Sequence, residues 1–481
     1  MLFNSIHFLI FFIIVLVLFF KFSHKYRWMI LLTASIYFYM SWNSKYIILL
    51  LIATTIDYFV ALKLDKTENK KIRKLLLGIS LFSNLGILFT FKYFNFFIDS
   101  FKILSDSLNL SLPLPVLNVI LPVGISFYTF QALSYTIDVY NKKIRAEKHF
   151  GIFTLFITFF PQLVAGPIER AKNLLPQFFI VQKFDYDRAV NGLLLVMWGF
   201  FKKLVIADRV AVLVNAVYNS PSEYTGIPLI LATVLFAFQI YCDFSGYSDI
   251  AIGCARIMGF KLMTNFNRPY FATSISDFWK RWHISLSTWF KDYLYIPLGG
   301  NRVKVSRLYV NLMIVFVISG LWHGANWTFI VWGALHGFYL VFGLVTQNLR
   351  KRVADLWISK YEPIYYFFKV TIIFILADFA WIFFRANNMS DAIYIITNMF
   401  SGITFNTAGL NLGGIGMSGL LTGLFFILMM EIVHLLQERT SVITYLRAKH
   451  MAVKWSLCII LVLIILLFGV FESTQFIYFQ F

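Results

Sequence analysis

Long apolar runs separated by short charged clusters set the pattern of this chain. Runs near residues 3–20, 28–42, 46–62, 75–97, 117–140 and 151–165 are followed by others near 190–217, 227–257, 308–322, 326–346, 364–384, 416–436 and 455–479. A bilayer core takes roughly 20 apolar residues per crossing helix. The pattern therefore predicts an all-α polytopic membrane protein with about 11 to 13 membrane helices. No long Gly/Ser or Pro linker, low-complexity tract or internal repeat divides it, so a single membrane domain over residues 1–481 is expected. The first run has no basic segment ahead of it and no small-residue cleavage site, and its positive charges, Lys21, Lys25 and Arg27, follow it. An uncleaved first helix is expected rather than a signal peptide.

Composition agrees with the pattern. The chain is 59% hydrophobic and 14% charged, whereas soluble domains carry about 25% charged residues. Its net charge of +19 would suggest nucleic acid in a soluble protein, but the basic residues sit in short loops between apolar runs. Lys21, Lys25 and Arg27, then the cluster at 63–74, then the one at 142–148, recur after every second crossing. Cytoplasmic loops collect such charge, which places the N-terminus outside the cytoplasm and leaves no role for nucleic acid. The cysteines, Cys242, Cys254 and Cys458, lie in apolar surroundings without metal spacing, so inert buried thiols and no metal site are expected.

The regular alternation fails over 264–307, a stretch too polar to span and too aromatic for an ordinary loop. Irregular backbone at membrane depth persists only when buried in protein or lining a wet cavity, so a site is sought here first. On a helical wheel, residues 277–293 place Phe278, Trp282, Leu286, Trp289 and Phe290 on one face and Lys280, Arg281, Ser287 and Lys291 opposite, predicting one amphipathic interfacial helix. His283 falls at the border of the two faces. Taken on this helix alone, an interfacial histidine that merely hydrogen-bonds is the simpler account of it.

His323 lies in SGLWHGANW, flanked by Gly320, Gly324 and Ala325 within an apolar helical hairpin. Small neighbours allow close approach of backbone or substrate, and an ionisable residue inside a membrane segment is a functional candidate because burying it is costly. On one continuous helix His336 would lie roughly 20 Å farther along, and it is expected to be structural. A buried neutral imidazole is a natural general base for a hydroxyl nucleophile. Acyl transfer from a thioester to an alcohol needs that base and a donor to the developing oxyanion, a part His283 is expected to play. GxSxG, HExxH, Walker and GxGxxG signatures do not occur in these contexts.

Several long stretches resemble the membrane-bound O-acyltransferases, and within them a bacterial branch that acetylates alginate. They are PQLVAGPIER (161–170), CDFSGYSDIAIG (242–253), the 36 residues 267–302 beginning NRPYFATS, SGLWHGANWTFIVWGALHG (319–337) and WIFFRA (381–386). The resemblance implies a ring of tilted helices around a thinned centre with a funnel reached from both faces. It makes His323 catalytic and aligns His283, 40 residues earlier (323 − 283), with a second catalytic His or Asn. It further implies no permanently bound cofactor and acetyl-coenzyme A, or another acyl thioester, as cytoplasmic donor. Lys280, Arg281, Lys291 and Arg302 would attract the donor's phosphates, though they fit ordinary positive-inside charge equally well.

The same resemblance places the chain in the bacterial inner or cytoplasmic membrane, working with an extracytoplasmic SGNH-esterase-like partner on a polysaccharide such as alginate, peptidoglycan, cellulose or another exopolysaccharide. Alternatives stay open: a D-alanyl transfer subunit for teichoic acid, against which the helices beyond Met417 argue; a transporter or flippase for a polysaccharide or lipid-linked precursor, with the histidines as proton relays; or a catalytically silent scaffold for the partner.

Overall fold

The computed structural model describes residues 1, 3–110, 112–164, 166–403, 414–439, 449–471 and 476–477, with backbone alone for 353–361 and 439. The described chain is helical and without strands. Nine of its helices are long and apolar enough to cross a membrane: Tyr46–Lys66, Lys70–Ser107, Tyr186–Asn219, Ile227–Met258, Val305–His323, Trp327–Val345, Glu362–Arg385, Gly416–Glu438 and Met451–Phe468. Each coincides with an expected run. The remaining runs form shorter helices: Ile6–Lys21, His24–Met40 and Ile125–Tyr140. The run at 151–165 splits into Phe150–Thr158 and Phe160–Leu163, where Pro161 interrupts the helical ladder. The last expected run reached 479, and 472–475 and 478–481 lie outside the described residues.

Large apolar side chains point outward along these helices: Phe82 is 82% exposed and Leu467 74%. Surfaces of that kind are stable facing lipid and aggregate in water, so the chain is a multi-pass membrane protein.

The chain divides into two compact units, one of Met1–Val196 with Ile250–Met263, the other of Met197–Asp249 with Thr264–Phe481. In the first, the buried carboxylate of Asp57 accepts hydrogen bonds from Ser80 Oγ (2.5 Å), Asn84 Nδ2 (2.8 Å) and Thr136 Oγ1 (3.4 Å), which draws three helices around it. A buried charge is tolerated only with such partners. Gly192 and Gly253 let two helices touch: a Cβ on Gly253 would lie 2.7 Å from the Gly192 carbonyl oxygen.

In the second unit a π turn runs over Phe201–Ala207, every residue of which is buried. Lys203 Nζ there binds Asp243 Oδ1 at 2.6 Å and Asp208 Oδ1 at 2.8 Å. Asp243 Oδ2 also accepts the backbone N–H of Ile477 (2.7 Å), and the Val470 N–H donates to the Leu204 carbonyl (3.0 Å). The end of the chain is thereby anchored to the π turn.

The hairpin Val305–His323 and Trp327–Val345 packs backbone against backbone. A Cβ on Gly333 would lie 2.2 Å from the Phe316 carbonyl oxygen, and one on Gly320 2.2 Å from that of Phe329. Gly333→Val must force the helices apart and should destabilise by about 1–3 kcal/mol or more, read as a lower unfolding temperature in detergent. An unchanged transition would show that the hairpin absorbs the methyl groups.

Candidate active site

Both expected histidines belong to the second unit, and the fold brings them together. His323 is the last residue of its helix, after which Gly324 turns extended (φ −159°, ψ 150°). A Cβ on Gly324 would lie 2.1 Å from the Phe329 ring, so any other residue at this tight exit would have to displace that ring. The hairpin then returns at Trp327, its N-terminus capped by Asn326 Oδ1, which accepts the Thr328 N–H (3.1 Å).

His283 occupies the junction between the helices Ile275–Arg281 and Ile284–Phe290, with φ +42° and ψ 54°. One helix was expected across 277–293, and the structure breaks it here. A wheel assumes that every residue advances by the same turn, whereas a left-handed residue reverses the path of the backbone. That conformation is sparsely populated for a residue with a Cβ and costs about 1–3 kcal/mol. It is held by the Ile284 N–H, which donates to the Asn265 carbonyl (2.9 Å), and by the Leu286 and Ser287 N–H groups on the His283 carbonyl (3.0 Å each). Phe278, Leu286, Trp289 and Phe290 are nevertheless buried, because each short helix keeps its own apolar face, and Trp282 is buried at the junction between them. His283 itself is 0% exposed rather than at a border.

The imidazole ring centroids of His283 and His323 are 6.5 Å apart. Phe244 stands edge-on to His283 at 4.7 Å, and Trp332 and Phe384 edge-on to His323 at 5.0 and 5.3 Å. Trp322 lies 6.1 Å from His283. His323 is 3% exposed, so the pair is buried among aromatic rings. Phe384 is fixed from the next residue: Arg385 donates to Asn215 Oδ1 (3.0 Å) and Asn219 Oδ1 (3.1 Å).

The expected separation of His336 from His323 does not hold, because the helix turns back between them. Both rings pack at 5.0 Å on the same Trp332. His336 is completely buried, its ring also against Trp279 at 4.9 Å.

Asn265 was not singled out in the sequence. Fully buried, it faces His283: its Oδ1 lies 3.1 Å from His283 Nδ1 and accepts the Ser285 N–H (3.2 Å) and the Ser285 hydroxyl (2.8 Å), while its Nδ2 donates to Ser248 Oγ (3.2 Å). The coarse signal was its position inside the irregular stretch. Sequence periodicity carries no sign that a loop residue 18 positions earlier returns to an imidazole.

Burial pushes the His283 imidazole down from 6.5 to about 3, so it is neutral. The sign follows: the unfolded chain takes a proton below 6.5 that the folded chain refuses, so this residue's contribution to stability is complete above 6.5 and is lost as pH falls toward 3. His283→Gln should therefore lose less stability than the parent between pH 7.5 and 5.5, by about 1 kcal/mol, in paired thermal melts. Equal losses would mean that the folded protein lets His283 take up a proton as readily as the unfolded chain does.

Of the cations expected to meet phosphates, Lys280, Lys291 and Arg302 are exposed. Arg281 is committed elsewhere, with Nε 3.1 Å from Asp277 Oδ1 and Nη1 2.7 Å from Glu438 Oε1, a carboxylate it shares with Arg268. Cys242, Cys254 and Cys458 are buried free thiols, and no cluster among the described residues could hold a metal ion.

The fold is a polytopic helical one, and its second unit buries two imidazoles within an aromatic shell. The chain belongs to the membrane-bound O-acyltransferase family, which residues 142–385 match, and is an acyltransferase. It is 39% identical to the peptidoglycan O-acetyltransferase of Helicobacter pylori over 77% of this chain and 73% of that protein. It is 39% identical to a probable alginate O-acetylase of Pseudomonas aeruginosa over 85% and 77% of the two chains. The teichoic acid D-alanyltransferase of Streptococcus thermophilus is 29% identical over 50% of this chain and 59% of its own.

Proposed function

We propose that the protein takes an acetyl group from a cytoplasmic thioester, acetyl-coenzyme A, and delivers it for O-acetylation of a cell-surface or secreted polysaccharide, with His323 and His283 as the catalytic pair. The observation that carries the chemistry is the enclosure of two imidazoles 6.5 Å apart. Similarity over most of the chain to O-acetylating relatives supports the acetyl group and a polysaccharide acceptor.

In the reaction, His323 removes the proton of an acceptor hydroxyl as its oxygen attacks the thioester carbonyl carbon. The C–S bond breaks, the proton passes to the departing thiolate, and an ester and a free thiol remain. Water kept out of the enclosure strengthens each electrostatic contact with the transition state. Lys280, Lys291 and Arg302 are offered to the phosphates of the donor, with Arg281 reaching them only by leaving its carboxylates. The protein would lie in the inner or cytoplasmic membrane of a bacterium with its N-terminus outside the cytoplasm, and an extracytoplasmic SGNH-like protein would complete the transfer.

Reconstituted protein supplied with acetyl-labelled coenzyme A, or with a D-alanyl carrier protein, should release thiol and transfer label from the first alone. Transfer from the carrier protein would assign it to teichoic acid D-alanylation. Acceptor movement without label transfer would make it a transporter.

A further inference from the structure

We infer that Asn265 is a positioning residue that holds His283 with hydrogen on Nδ1 and the Nε2 lone pair directed away from Asn265, so that His283 receives a proton or hydrogen bond during transfer instead of donating one to the acyl carbonyl. The inference rests on the histidine pair being the reacting centre, and it changes the role the sequence suggested for its second member.

The assignment follows from donors whose identity is not in question. A backbone N–H can only donate, so the Asn265 atom facing the Ser285 N–H is the amide oxygen, and the same oxygen takes the Ser285 hydroxyl proton at 2.8 Å. His283 Nδ1 is 3.1 Å from that oxygen and 3.4 Å from Ser285 Oγ, whose only hydrogen is already given to Asn265. Both of these neighbours of Nδ1 are therefore acceptors, and Nδ1 must carry the hydrogen. A neutral imidazole has one N–H, so Nε2 is the basic nitrogen.

The arrangement is rigid as well as polar. The Asn265 backbone carbonyl accepts the Ile284 N–H (2.9 Å), which clamps the left-handed turn at His283, while its amide nitrogen is tied to Ser248 (3.2 Å). One residue thus fixes the turn, the ring and the protonated nitrogen together. During transfer, Nε2 accepts a hydrogen bond from the imidazolium formed at His323, and if the proton moves onto it, Asn265 Oδ1 still accepts from Nδ1–H. No bond to Asn265 is made or broken.

Two variants test this, with kcat and KM for acetyl-coenzyme A measured across pH. Asn265→Leu should lower kcat ~10- to 100-fold, the size of loss found where the partner orienting a metal-bound imidazole is removed, with KM little changed. Asn265→Asp keeps an acceptor for Nδ1–H and adds a negative charge that favours imidazolium. It should retain more activity than the Leu variant and move the acidic limb of the pH–rate profile upward by about one unit or more. Unchanged kcat in Asn265→Leu, or a superimposable profile in Asn265→Asp, would overturn the inference. A purely structural role would lower the yield of folded protein without moving the profile, and the Asp variant reads this even if the Leu variant does not fold. His283→Ala is measured alongside. If it is inactive while Asn265→Leu is fully active, only the positioning role fails; if it is fully active, the paired site fails.

Discussion

His323→Ala should abolish acetyl transfer while leaving the protein inserted and monodisperse. The imidazole occupies the end of a helix whose packing depends on Gly320 and Gly333, not on the ring, so its removal leaves a small void among Trp332, Phe384 and Trp322. General-base catalysis contributes about 10²- to 10⁴-fold, and a loss of that size in label transfer is expected. His323→Gln preserves most of the volume and should be as inactive, since its amide cannot take up a proton. Retained transfer in both variants, with normal folding, would show that the proton leaves the hydroxyl by another route.

The largest expected effect on stability lies at Lys203. Its ammonium is 1% exposed and bridges two carboxylates that are almost as deeply buried. Lys203→Met would leave Asp208 and Asp243 facing each other in an apolar surrounding, and breaking a buried ion pair from one side costs about 3–5 kcal/mol. Because Asp243 also holds the Ile477 N–H, the end of the chain should loosen with it. The expected result is little folded protein in detergent extracts and faster proteolysis near the C-terminus. Adding Asp208→Asn and Asp243→Asn to Lys203→Met should recover part of the loss, because the uncompensated charge is gone. Absence of any recovery would mean that the lysine acts through its packing.

Crossing helices were legible because a bilayer imposes length and apolarity on each of them locally, as the agreement at Ile227–Met258 and Trp327–Val345 shows. The residues around the pair were legible only in part. His323 stood out because an imidazole among glycines in an apolar run has a cost that sequence alone displays. His283 appeared at the edge of an amphipathic face, because no glycine or proline announces the left-handed turn that buries it. Its conformation depends on Asn265, and that dependence is tertiary. The same limit hid the proximity of His336, whose relation to His323 is decided by a reversal at Gly324. It also hid the commitment of Arg281 to Glu438, 157 residues away. Charge and periodicity describe what a segment can do alone, and these features arise from segments meeting.

The aromatic shell around the imidazoles has a consequence for waste. A thioester is a high-energy ester that hydroxide would cleave for nothing, and a base able to activate an alcohol can activate water just as well. On the sides that Phe244, Trp332 and Phe384 close, the small competitor meets aromatic rings instead of a polar surface on which to wait. In the proposed reaction, donor loaded at such a centre would thereby be kept for the hydroxyl that arrives, with idle turnover suppressed by the same rings that give the site its shape.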